Sequence, residues 1–162
     1  MGAGVLPLAI RDGTPYYLFS REGLGKDKGY WSDFGGGREK GETFRETALR
    51  EASEESDGVL GTRSDIDRLL NENVIDHITM GGYRLYVVYV DLDLSIPSQF
   101  RKRYLRAKRQ RPSVLGINGR YEKDHVAWVS QKSLAQQKKY IRPWFRRFAS
   151  VLARTDYVID PC

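Results

Sequence analysis

Residues 35–58 read GGGREKGETFRETALREASEESDG, and the rest of the chain is best understood outward from them. Thr43-Phe44-Arg45-Glu46 has the form of a capping box, and neither Gly nor Pro interrupts residues 43–56, so a helix is predicted from Thr43. Phe44, Ala48 and Ala52 recur at i, i+4 and i+8 and give that helix an inward stripe. Glu51, Glu54 and Glu55 fall within an arc of roughly 100° on the extension of the stripe. Glu51 and Glu55 form a like-charge pair at i, i+4, and all three acids crowd the helix end where the dipole disfavours anions. Carboxylates pointed inward in this way need a cation.

Oxygen donors of such charge density suit Mg²⁺ or Mn²⁺ rather than zinc. The glycines at positions 35–37 offer backbone carbonyls and admit a polyphosphate closely, since no side chain intervenes. Arg50 can pair with Glu42 or Glu46 and hold the helix in register. The combination points to phosphate chemistry, with a metal-bridged diphosphate, water as nucleophile and a carboxylate as base.

On the N-terminal side, residues 4–10 and 16–19 are apolar runs separated by Asp12-Gly13 and are predicted to form a hairpin. Residues 30–34 read as a short strand running into the glycines. On the C-terminal side, residues 65–70 suit a short helix. Residues 74–79 and 83–94 are β-branched and aromatic runs around Gly81-Gly82, a second hairpin. Residues 95–119 are expected to be a basic insertion between strands, containing a helical stretch with Phe100, Tyr104 and Leu105. Residues 126–129 form a further strand, followed by a helix from Ser133 and another whose first turn carries Pro143. Strands and helices are interspersed, so an α/β or α+β fold with a mostly mixed sheet is expected.

The spacing of Gly36, Glu42 and the run Arg50-Glu51-Ala52-Ser53-Glu54-Glu55 resembles the signature box of the Nudix hydrolases. The resemblance implies an α/β/α sandwich with a mixed central sheet, in a single domain over residues 1–162. It also implies Mg²⁺-dependent cleavage of a nucleoside diphosphate linked to another moiety, by water attack on phosphorus. By the same likeness the Gly35 carbonyl, Glu51, Glu54 and Glu55 bind metal, and one of Glu51, Glu54 or Glu122 activates water, with Arg50 beside them. One position departs from the pattern. The glycine that usually follows the paired glutamates is Asp57 here, with Gly58 next, as if the helix exit were one residue longer.

Arg21, Lys26, Lys28 and Gly36 are candidate contacts for substrate phosphates, whereas His77 and His125 lack a second imidazole at ligand spacing. The net charge is +6, and residues 101–111 hold seven basic residues and no acid, leaving the remainder near neutral. Arg101, Lys102, Arg103, Arg106, Lys108 and Arg109 are therefore candidate RNA contacts. RNA there would match removal of a 5′ cap. The alternatives are free nucleotides such as dinucleoside polyphosphates and nucleotide sugars, inositol pyrophosphates, or a catalytically silent RNA-binding module. A single cysteine, Cys162, argues against a disulfide framework, and without an apolar run of spanning length an intracellular, cytoplasmic protein with no membrane partner is expected.

Overall fold

The computed structural model describes residues 1–158; Cys162 lies outside them. β1 (Gly2–Arg11) and β2 (Thr14–Glu22) form the expected hairpin, with the turn residues Asp12 and Gly13 both at positive φ. They are followed by β3 (Trp31–Ser32), β4 (Phe34–Gly37), α1 (Phe44–Glu55), α2 (Arg63–Glu72), β5 (Val74–Met80) and β6 (Tyr83–Tyr89). α3 (Ile96–Gln110), β7 (Lys123–Ser130), α4 (Gln131–Leu134) and α5 (Arg146–Leu152) complete the order. Among the described residues no helix is long and apolar enough to cross a membrane.

The seven strands form one mixed sheet in which β1 and β6 run parallel while every other pairing is antiparallel. β1 is covered on both faces, which is why its sequence reads as a nearly unbroken apolar run. Ala3 and Val5 face Ala48, Ala52, Ile66 and Phe100 in one core. Leu6 and Leu8 join Tyr17, Phe19, Phe145 and Phe148 in the other, so the sheet lies between two helical layers.

One edge of β1 has two partners in succession. Residues from Gly2 to Val5 pair with β4, and residues from Leu8 to Arg11 pair with β2. The chain between β3, on β2, and β4, on β1, is the single residue Asp33. This fork places the glycines of β4 beneath α1.

Several boundaries differ from the sequence reading. β6 stops at Tyr89 rather than Leu94, because Asp93 turns the chain: its Oδ1 accepts from the Ser95 backbone N–H at 2.9 Å just before α3. α4 starts at Gln131, before Ser133, since the Ser130 side chain caps it. Residues 95–119, read as an insertion, build α3 and two 3₁₀ turns. Ile96, Phe100, Tyr104 and Ala107 follow helical periodicity and are buried, so α3 is a core helix whose charges lie on its outer face. The exit of α1 is not lengthened either. Ser56 is the C-cap and Asp57 takes the left-handed conformation, φ 49°, that a glycine there would adopt, a region Asp tolerates better than most residues.

Candidate active site

α1 begins with the expected capping box, in which Thr43 accepts from the Glu46 backbone N–H at 3.1 Å and Glu46 accepts from Thr43 N–H at 2.7 Å. Glu46 is thereby committed to the cap, and Arg50 pairs instead with Glu42, through Nε at 2.7 Å and Nη2 at 3.1 Å. The same guanidinium donates to the Gly37 carbonyl at 2.9 Å and to Glu51 at 2.8 Å, with Glu54 at 3.4 Å. One arginine thus ties α1 to the end of β4 and lies between two of the predicted ligands.

The acids approach glycine backbone directly. Glu55 Oε2 accepts from the Gly35 N–H at 2.8 Å. A Cβ added at Gly36 would lie 2.6 Å from Glu51 Oε1, and one added at Gly119 would meet the Glu54 carboxylate. Any side chain at these positions would push the carboxylates away. Burial drives the Glu55 carboxyl well above its ordinary pKa, and Lys123 opposes the shift. Glu51 and Glu122 are raised by the same cause, and neighbouring carboxylates add to it.

A cleft of about 660 Å³ collects Gly35, Gly36, Arg50, Glu51, Glu54 and Glu55, and across it lies Glu122. The predicted metal and catalytic residues therefore come together. Arg21, Lys26 and Lys28 do not join them. Arg21 makes a two-pronged pair with Asp124, at 2.8 and 2.9 Å, and covers the Trp31 ring at 5.8 Å, while Lys26 and Lys28 project from the exposed loop after β2.

The six basic candidates on α3 also lie outside the cleft. Arg101 donates to the Asp124 carbonyl at 3.1 Å and Arg103 to the Asp57 carbonyl, whereas Lys102, Arg106, Lys108 and Arg109 are exposed. Arg103 and Arg106, with Arg111 and Arg120, border a separate hollow of about 330 Å³. The chain joining the two cavities is short: Asn118, Gly119 and Glu122 line the acidic cleft, and Arg120 and Tyr121 line the arginine hollow.

Lys123, Arg142 and Asp33 are not placed in the site by the sequence reading, nor is Glu22. Lys123 is fully buried, salt-bridged to Glu22 and 3.7 Å from Glu55. Arg142 reaches Glu22 at 2.9 Å and Asp27 at 2.6 Å. Asp33, at the fork, accepts from Tyr83 Oη at 2.6 Å, and its other oxygen has no hydrogen-bond partner among the described residues. Burial raises the Asp33 carboxyl to a pKa of about 6, against the Tyr83 hydrogen bond and the nearby Lys123, which lower it.

Glu22, Asp33, Glu51, Glu54, Glu55 and Glu122 thus outnumber Lys123, Arg50 and Arg142, and the donors are all oxygens. That chemistry fits a hard divalent cation. Among the described residues no three ligand side chains converge closely enough to hold an ion as they stand, and Arg50 occupies the space between Glu51 and Glu54.

The chain matches the family model described as NUDIX domain over residues 1–149. No curated protein matches it. Among solved structures it is similar to a NUDIX hydrolase from Alicyclobacillus acidocaldarius, with 12% identity, TM-score 0.53, and 96% of this chain and 91% of that chain covered. It is also similar to the NUDIX domain of Shewanella oneidensis NrtR complexed with ADP ribose, with 11% identity, TM-score 0.52, and 94% and 84% covered. Such identities speak for the fold, and the family model, reaching from the first strand through the last helical layer, settles the membership: the chain belongs to the NUDIX family of hydrolases acting on pyrophosphate bonds.

Proposed function

We propose that the protein hydrolyses a nucleoside diphosphate linked to another moiety, in a Mg²⁺- or Mn²⁺-dependent reaction at the cleft between α1 and β4. The observation that carries this reading is the excess of buried carboxylates held against glycine backbone by Arg50 and Lys123. In that reading Glu51, Glu54, Glu55 and the Gly35 carbonyl hold the ion. When bound, it supplies charge neutralisation for the diphosphate and lowers the pKa of coordinated water. Glu54 or Glu122, both less buried than Glu51, accepts the proton of the attacking water. A new bond forms from the water oxygen to phosphorus, and the bridging oxygen departs with the second phosphoryl group. Arg50 keeps Glu51 and Glu54 oriented, and Lys123 opposes the upward shift that burial imposes on the Glu55 carboxyl.

For the moiety on the far side of the diphosphate we favour the 5′ end of a capped RNA. The support is the row of basic side chains on the outer face of α3, continued by Arg111 and Arg120, one short loop away from Glu54 and Glu122. Phosphates of a downstream chain would meet this side after leaving the acidic cleft.

The test is a panel of capped RNA, dinucleoside polyphosphates, nucleotide sugars and ADP-ribose with Mg²⁺, using wild type and Glu54→Gln. Turnover that requires Glu54 and the metal supports the hydrolase. RNA affinity without turnover of any member would replace it with a binding module. Preference for free nucleotides, unaffected by neutralising Lys102, Arg106 and Arg109, would remove the RNA half alone.

A further inference from the structure

Trp144 belongs to neither the acidic cleft nor a closed core. It remains 39% exposed although three aromatic rings surround it. Tyr83 lies 4.7 Å away at a tilt of 57°, and Phe145 and Phe148 meet it edge-on at 5.5 and 6.3 Å. These contacts hold the indole before any ligand arrives. A large apolar side chain that is both fixed and half open has the form of a binding platform rather than of packing left incomplete.

The hollow beside it, about 380 Å³, is lined by Gly2, Gly36, Gly37, Gly81 and Gly82 together with Met1, Tyr83 and Arg142. A Cβ added at Gly37 or Gly81 would meet nothing within 4 Å, so the space above both is open. Bare backbone at Gly37 and Gly81, with the Met1 side chain against Gly82 and the Tyr83 ring against Gly2, leaves a slot beside the indole suited to a flat group. The slot is also continuous with the acidic cleft, because Gly36, Gly37 and Arg142 border both cavities. Arg142 has its guanidinium 5.3 Å from the Trp144 ring while its Nη1 reaches Glu22 at 2.9 Å. It also pairs with Asp27 at 2.6 Å, and a phosphate crossing the junction would compete with these two carboxylates for its guanidinium.

We infer that this hollow is the subsite for the nucleobase of the substrate, stacked on Trp144, with the diphosphate passing over Gly36 and Gly37 towards Glu51 and Glu54. The inference rests on the pyrophosphohydrolase reading above and adds the end of the substrate that sits on the Gly81-Gly82 side. A planar heteroaromatic ring carrying a phosphate satisfies all three parts of the trough at once: indole face, bare backbone and Arg142. An aliphatic or sugar-only group would leave the indole unused.

Two measurements test it. The first is an NMR titration of wild-type protein, in which the indole N–H signals of Trp31, Trp128 and Trp144 are separate probes and Trp144→Phe assigns the third. Adenosine and guanosine 5′-monophosphate should move the Trp144 signal, and ribose 5-phosphate and inorganic pyrophosphate should leave it. A Trp144 signal that ignores both nucleotides overturns the proposal. This readout needs no turnover, so it fails or succeeds independently of the hydrolase reading.

The second is steady-state kinetics on any nucleotide that is turned over, compared with a base-free ribose diphosphate. Trp144→Ala should raise KM for the nucleotide about 10-fold or more, with kcat little changed and the base-free compound unaffected. Trp144→Phe, which keeps a stacking face, should stay within about 3-fold of wild type. An equal rise in KM for both compounds would mean that Trp144 only supports the local packing and would also overturn the proposal. Should Trp144→Ala fold poorly, the phenylalanine variant and the titration still decide.

Discussion

α1 and α3 each carry a run of like charge, and they handle it in opposite ways. In α1, Glu51 and Glu55 are buried, and their pKa values are pushed up by burial despite Arg50 and Lys123. In α3 the buried stripe is Ile96, Phe100, Tyr104 and Ala107, and the cations stay on the water side. Exposed like charges are screened and cost little, whereas buried ones must be compensated by partners or by a ligand. The lesson is that the sign of a charge run says less about function than the side of the helix it occupies.

Four experiments test that contrast. The largest effect is expected for Glu54→Gln, which should lower kcat by roughly 10²- to 10⁴-fold, the range for loss of a positioned proton acceptor or ion ligand. Its side chain is 30% exposed, so the thermal midpoint should hardly change. Unchanged turnover would remove the acidic cleft as the site of chemistry.

Lys123→Met leaves Glu55 without its buried cation and Glu22 with Arg142 alone, and should cost about 3–5 kcal/mol in urea unfolding. Adding Glu55→Gln should recover part of the loss. Without that recovery, the ion pair is not what fixes Lys123 in place.

Asp33→Asn changes the pH dependence of stability in metal-free protein. The folded carboxyl titrates near 6 against an ordinary 3.8, so the native state binds more protons than the unfolded chain between these values. Stability from this group is therefore lost as pH rises from about 4 to 6, by roughly 3 kcal/mol at most. The asparagine variant should flatten that fall in denaturant midpoints measured across the range.

The smallest effect on folding belongs to Lys102→Ala, Lys108→Ala and Arg109→Ala, each within about 0.5 kcal/mol. The same variants should weaken RNA binding and reduce the slope of log affinity against log salt. A large folding defect here would erase the distinction between the two helices.

Much of this was legible from residue order. The capping box at Thr43, the inward acids and the Asp12-Gly13 turn are expressed locally or through the box spacing, whereas Glu122 is reached only through the family likeness of the segment that ends at Trp128. Lys123 was not, for a definite reason. β2 and β7 shift register between Arg21 and Glu22, which pair with His125 and Lys123 and skip Asp124. That bulge breaks the alternation by which a strand's inward residues are recognised, and so hides a buried lysine among Glu122 and Asp124. Arg21 misled for the complementary reason: its partner Asp124 is a hundred residues away and visible only across the paired strands. The role of α3 was obscured because cations dominate its composition while four apolar side chains set its position.

The forked edge of β1 has one more implication. Since a lone residue carries the chain from β2 to β1, the segment from Trp31 to Gly37 works as a fixed-length stitch across the split. Adding or deleting one amino acid there would turn the rest of β4 to the opposite face and slide Gly35 and Gly36 off the carboxylates above them. A change of chain length that spares the acids must therefore fall outside this stitch.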